Sequence, residues 1–274
     1  MEMASALSEQ FIVAARRIGI LVLPAASALV SAGAFAQAAI APHTPLVTPY
    51  RPTVSNPAEL PEPGYIEIEA GGIRTATAGS SRRSLPYMAK LAVNPDWGLL
   101  LSGDLRVWDN TTGVPIKGLG DTSITLKHHI GTGSDAINLG LEAGVKFPTA
   151  AAGLGNDKRD WTVTGILSYD IAEDWRLDTN LGITTLGARE PGLGSDYVSW
   201  AAALSRSLGP WTLAGEFSQT SQRGAPNASQ WLFAVGYTVM PRLILDAGFA
   251  RGRDGGDRPR SIFVGLSWLT NWMF

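Results

Sequence analysis

From Tyr65 to its last residue the chain alternates. Apolar side chains recur at every second position, small or polar ones fall between them, and turn residues divide the pattern into segments. In the last segment Ile262, Val264, Leu266, Trp268, Thr270, Trp272 and Phe274 share one face, while Gly265, Ser267 and Asn271 fall on the other. A period of two predicts a strand whose faces meet different solvents. About twelve such segments can be counted. They run over 65–72, 85–93, 97–108, 119–130, 137–147, 161–170, 175–186, 197–208, 211–220, 230–239, 242–251 and the final stretch.

The connections alternate too. Short turns fall at Asn94-Pro95-Asp96, 171–174, Gly209-Pro210 and Met240-Pro241, with a slightly longer one at 131–135. Longer loops are expected near 73–84, 109–118, 148–159, 187–196, 221–229 and 252–260. Short turns on one side and long loops on the other predict an all-β fold: a transmembrane antiparallel β-barrel of about twelve strands over 65–274. An even strand number puts both ends of the barrel in the periplasm. Trp97, Trp175 and Trp211 open strands after short turns, and Trp161, Trp200 and Trp231 lie toward the long loops, as two interfacial girdles would. A soluble sandwich also alternates aromatics, but it needs neither an export signal nor so many evenly spaced hairpins. The closing strand, with Trp268, Trp272 and Phe274, is expected to be the signal read by the barrel-assembly machinery.

The N-terminal part reads differently. Arg16-Arg17, the apolar run Ile18 to Val30 and Ala34-Phe35-Ala36 predict a secretory signal peptide over 1–36, cleaved after Ala36. This implies export to a bacterial outer membrane. Residues 37–64 carry Pro42, Pro45, Pro49, Pro52, Pro57, Pro61 and Pro63, which blocks helix and interior strand alike. The expectation is an extended periplasmic segment.

Composition narrows the functional classes. The 274 residues include no cysteine, which removes disulfides and thiolate chemistry. The net charge is −2, with no basic excess for nucleic acid. The charged fraction of 17% is below the soluble norm of about 25%. No central run of apolar residues is long enough for a membrane helix.

The face opposite the apolar one carries the charge: Glu67, Glu69, Lys90, Asp104, Arg106, Asp121, Lys127, Glu142, Lys146, Arg176, Asp178, Glu216 and Asp246, with His129, Asp160 and Asp170 beside them. These are the expected lumen-lining residues. Gly98, Gly140, Gly182, Ala201, Ala203 and Gly265 share that face and leave room. A barrel of this size stands between filled and open ones. A channel passing small solutes through a polar lumen and a closed structural or adhesion barrel with a plugged lumen therefore both fit. Outer-membrane lipid and lipopolysaccharide are the expected surroundings, and a small-molecule solute the expected cargo.

Enzyme chemistry has little to stand on. His128 has outward parity and could join an outward serine in an outer-membrane lipase, but no oxyanion site accompanies it. His128 and His129 point to opposite faces and make a poor metal pair. Neither a metal nor a cofactor is expected. The charged loop 251–258 reads as solvated, with lipopolysaccharide or a solute as possible contacts.

Two stretches carry a family resemblance. Gly118-Leu119-Gly120-Asp121-Thr122-Ser123-Ile124-Thr125-Leu126-Lys127 and Leu141-Glu142-Ala143-Gly144-Val145-Lys146-Phe147-Pro148-Thr149 resemble the "MetA-pathway of phenol degradation" family of outer-membrane barrels. The resemblance covers roughly 60–274, and this chain has Ala150 where the family continues with glycine. It implies outer-membrane passage of small aromatic or hydrophobic compounds. It also singles out Asp121, Lys127 and Lys146 as a lumen charge cluster.

Overall fold

The computed structural model describes residues 44–111 and 113–271. The signal peptide with its Ala36 cleavage site, and Trp272 and Phe274, lie outside the described residues.

Alternation becomes strand throughout. The elements are β1 (Ile66–Thr77), β2 (Ser80–Ala92), β3 (Trp97–Asp109), the short β4 (Ile116–Gly118) and β5 (Thr122–Gly131). Next come β6 (Ile137–Phe147), β7 (Asp160–Ala172), β8 (Trp175–Thr185) and β9 (Asp196–Leu208). The last four are β10 (Trp211–Gln222), β11 (Ala228–Met240), β12 (Leu243–Asp254) and β13 (Arg260–Leu269). Every pairing is antiparallel; β3 bridges β2 and β5, and β1 pairs with β13. Twelve strands thus close into a barrel, and β4 only flanks the end of β3.

Closure leaves no edge strand, and it turns the packing inside out. Leu99, Leu101, Val163, Leu181, Phe233, Ile262 and Val264 are exposed on the outer wall. The largest fully buried side chains include Lys90, Lys127, Glu67, Glu69 and Glu216. A wall apolar outside and charged inside suits lipid around a polar lumen.

One expected loop is absent. Instead of a loop near 73–84, β1 and β2 run on to a two-residue turn, with Thr77 paired to Ser80. Gly79 takes φ +80° in that turn, a conformation that favours glycine. The run Thr75 to Arg82 resembled a loop because these strand ends are polar on both faces.

The other irregularity lies in β3. Ser84 pairs with Val107 and Pro86 with Asp104, so β3 spends one more residue than β2 and bulges at Leu105-Arg106. The β1–β2 ladder is interrupted at the same height, between Ala70–Tyr87 and Ile73–Ser84, where Pro86 has no N–H to give.

Candidate functional site in the barrel lumen

The proline-rich segment, expected as an extended stretch outside the barrel, lies within the lumen. It enters the barrel beside the β11–β12 turn, where Val47 N donates to Pro241 O at 3.1 Å. It rises to mid-height and returns to the same mouth, where Gly64 N donates to Ala92 O at 3.4 Å. Prolines prevent it from joining a ladder, so its remaining backbone groups need other partners. The inward charges of the wall supply them.

The first group of contacts lies under β1 and β2. Lys90 Nζ stands 2.6 Å from both Glu67 Oε1 and Glu69 Oε1. Glu67 accepts from Thr48 N at 2.8 Å, Glu69 accepts from Tyr50 N at 2.7 Å, and Lys90 donates to Thr48 O at 2.6 Å. All three wall side chains are buried. Buried charge is tolerable only when paired and hydrogen-bonded, and here both conditions hold.

The Tyr50 ring lies between two ammonium groups. Lys90 Nζ is 3.7 Å from its centroid and Lys127 Nζ is 4.1 Å away. The ring's electron-rich faces attract both cations and separate them. Lys127 also pairs with Glu142 at 3.2 Å and donates to Pro57 O at 2.5 Å. Tyr50 Oη closes the segment on itself by donating to Glu59 O at 2.8 Å.

Other wall charges grip the segment in turn. Arg51 meets Asp246 at 3.0 and 3.1 Å and reaches Val264 O at 3.3 Å. Glu216 accepts from Val54 N at 2.9 Å, Ser55 N at 2.7 Å and Ser55 Oγ at 2.8 Å. Ala58 N donates to Ser168 Oγ at 2.8 Å, and Asn138 Nδ2 to Glu59 Oε1 at 3.1 Å. Arg176 gathers Glu59, Asp170 and Asp178. Hydrogen bonds therefore tie the segment to β1, β2, β5, β6, β7, β8, β10, β12 and β13.

Small inward residues give it room. A Cβ on Gly98 would meet Leu60 at 2.5 Å, and one on Gly140 would meet Ala58 at 3.3 Å. Such glycines can relieve a curving sheet; here they make way for the segment.

Lys146 belongs elsewhere. It pairs with Asp121 at 3.2 Å and Asp160 at 2.8 Å, and donates to Asn156 at 2.5 Å, fixing the outer loop between β6 and β7. Lys127 and Lys146, grouped by the sequence motifs, thus serve separate networks. Asp104 lies against Gly120, whose N donates to Asp104 O at 3.0 Å. Arg106 leaves the lumen network: the bulge redirects it, and its guanidinium stands 6.0 Å from the ring of Trp108.

Two cavities flank the inserted segment along the same strip of wall. The one toward the periplasm, about 420 Å³, reaches Thr53, Arg176, Ala203, Ser205 and Ala214. The one toward the outside, about 170 Å³, reaches Val54, Asn180, Gly182, Ala201 and Ser218. Glu216 falls between Ala214 and Ser218 on the inner face of β10 and pairs in register with Ala203. Its grip on Val54 and Ser55 is the partition.

Residues 55–270 match the model of the family described as "Putative MetA-pathway of phenol degradation". The chain belongs to this family. Among solved structures, this phenol-degradation family member is similar to the COG4313 outer membrane channel from Pseudomonas putida F1. Identity is 13%, with 78% of this chain and 98% of that chain covered and a TM-score of 0.60. It is also similar to the NanC porin, at 12% identity, 73% and 98% coverage and a TM-score of 0.57. The KdgM porin follows at 5% identity, the same coverages and a TM-score of 0.50. At these identities the likeness is one of fold. No curated protein matches the chain.

Sequence reasoning missed the segment's own contribution to the site: Tyr50, Arg51, Ser55, Asn56 and Glu59. A signal existed. The mid-barrel wall offers Glu67, Glu69, Glu142, Glu216 and Asp246 against Lys90 and Lys127, an acidic excess that calls for donors from elsewhere. His128, weighed for a lipase, stacks on Trp97 at 4.2 Å and meets Asp96 O at 3.0 Å.

Proposed function

We propose that this family member is an outer-membrane channel for small solutes, closed in this state by its own N-terminal segment. The observation that carries the reading is the pair of cavities on one wall strip, with Glu216 and its hold on Val54 and Ser55 between them. Most of the contacts that hold the segment are polar, and water can replace them when it moves. The barrel wall closes without the segment. Similarity to proteins named as channels and porins supports the reading.

Aromatic compounds bearing a hydroxyl are the solute class we favour. The family description points to phenol degradation. Asn180, Ser199 and Ser218 line the outer cavity and offer polar side chains to such a group. Catalysis has no part in the proposal. Signal-directed export and recognition of the C-terminal strand by the assembly machinery complete it.

The test is single-channel recording in a planar bilayer with the full chain and with a chain lacking residues 44–59. Insertion is checked by heat-modifiable electrophoretic mobility. Expected are silence or brief steps for the full chain and sustained steps for the deletion, shortened by added phenol. A silent, correctly inserted deletion variant would overturn the channel reading.

A further inference from the structure

The outward residues at the loop ends of the strands form two unlike stretches, side by side. Along β9 to β11 the girdle is aromatic: Phe217 packs against Trp200 at 5.2 Å and Trp231 at 4.7 Å. In register with Trp231 the girdle changes character. Trp231 faces Arg251 on β12, Arg251 faces Arg260 on β13, and Arg74 faces Arg83 on β1 and β2. Arg83 then faces Trp108, which faces Lys117 on β4. Four adjacent strands, β12, β13, β1 and β2, thus carry a basic arc that Lys117 of β4 extends.

This arc carries a cost. Arg74–Arg83 and Arg251–Arg260 are like charges placed directly opposite each other, which destabilises a sheet. Among the described residues Arg74, Arg83, Arg251, Arg260 and Lys117 make no ion pair. Asp109 is turned the other way and held by Arg82 at 2.8 Å, and neither Asp254 nor Asp257 in the β12–β13 turn lies within ion-pair distance of these cations. Five cations without an acid, on a face that meets the membrane boundary, call for anions from outside the chain.

Directly below the arc lies an apolar groove of about 290 Å³. Leu85, Trp108, Ile262 and Val264 line it, Gly72 leaves space in its floor, and Arg74 and Arg83 stand at its rim. The occupant must therefore be apolar at one end and anionic at the other. Guanidinium forks suit phosphate oxygens, and basic clusters beside a bilayer bind anionic lipid headgroups.

We propose that the basic arc and the groove beneath it bind a phosphorylated glycolipid of the outer leaflet, its phosphates on the arginines and an acyl chain against Gly72. This goes beyond the channel reading and does not depend on conductance; it requires only that the outer wall faces lipid.

The test uses the full chain extracted from outer membranes in mild detergent and native mass spectrometry with added bisphosphorylated lipid A. The wild type should retain the lipid. The R74Q/R83Q and R251Q/R260Q variants should each lose retention roughly thirtyfold, since each removes two membrane-facing cations. Loop variant R189Q/R223Q should retain it as the wild type does. Folding of each variant is read from heat-modifiable mobility, and if one arginine pair prevents folding the other still decides. Equal retention of lipid A stripped of its phosphates would overturn the proposal. So would undiminished retention by a folded variant, or displacement of the lipid by millimolar inorganic phosphate alone.

Discussion

Gly71 and Gly265 face each other across β1 and β13, and the guanidinium of Arg51 occupies the space where a Cβ on either would stand. The inserted segment is therefore fitted to the wall at the seam where the first and last strands meet. Gly265→Ala, whose Cβ would meet the Arg51 side chain as its nearest neighbour, should push Arg51 off Asp246. That leaves a nearly buried carboxylate without its cation, at a cost of about 3 kcal/mol. Bilayer recording should show frequent openings where the wild type is closed, and the urea midpoint in lipid vesicles should fall. Unchanged closure would mean that Arg51 contributes nothing to holding the segment.

Tyr50 supports the segment from its centre. Tyr50→Ala removes the ring between Lys90 and Lys127 and should cost about 3–5 kcal/mol. Tyr50→Phe keeps the ring and loses only the bond to Glu59 O, worth about 1 kcal/mol. Equilibrium unfolding in vesicles should rank the two variants in that order; equal losses would refute a role for the ring between the cations.

Lys90 compensates two buried carboxylates. Lys90→Met should destabilise the barrel by about 3–5 kcal/mol, because both charges then lack a cation. Adding Glu67→Gln and Glu69→Gln should restore part of that stability. The cycle is read from urea midpoints, and strict additivity would argue against coupling.

Glu216 is the partition between the two cavities. Glu216→Ala should release Val54 and Ser55 and raise open probability without disturbing the Arg51 contact. Single-channel recording reads it, and a variant as silent as the wild type would place the barrier elsewhere.

Lys146 should matter for the outer loop alone. Lys146→Met removes the cation shared by Asp121 and Asp160, and protease applied to whole cells should then cut within 150–159 while channel closure is unchanged. Resistance to cleavage would show that the loop is held by other contacts.

The wall was legible because a barrel strand declares itself at every residue. Outward Leu99 and Leu101 and inward Gly98 and Leu100 differ by one position, and the register keeps them on opposite faces. The tops of β1 and β2 were not legible. Beyond Arg74 and Arg83 the run Thr75 to Arg82 is polar on both faces, and period two carries no signal there. Arg106 was misplaced for a related reason: one extra residue in β3 reverses parity, and a bulge has no mark in the alternation. The inserted segment was invisible for a different reason. A proline-rich stretch has the same local conformation in the periplasm as in a lumen, and only partners distant in sequence, such as Glu216 for Ser55, separate the two.

The segment enters and leaves by the same mouth, and this has a mechanical side. A pull directed into the periplasm on residue 44 would load its anchors in sequence: Thr48 on Glu67, Tyr50 on Glu69, Arg51 on Asp246, then Val54 and Ser55 on Glu216. Anchors loaded singly peel at low force, whereas the same bonds loaded together would resist as a block. The obstruction is strong against pressure from the lumen and weak against a tug on residue 44.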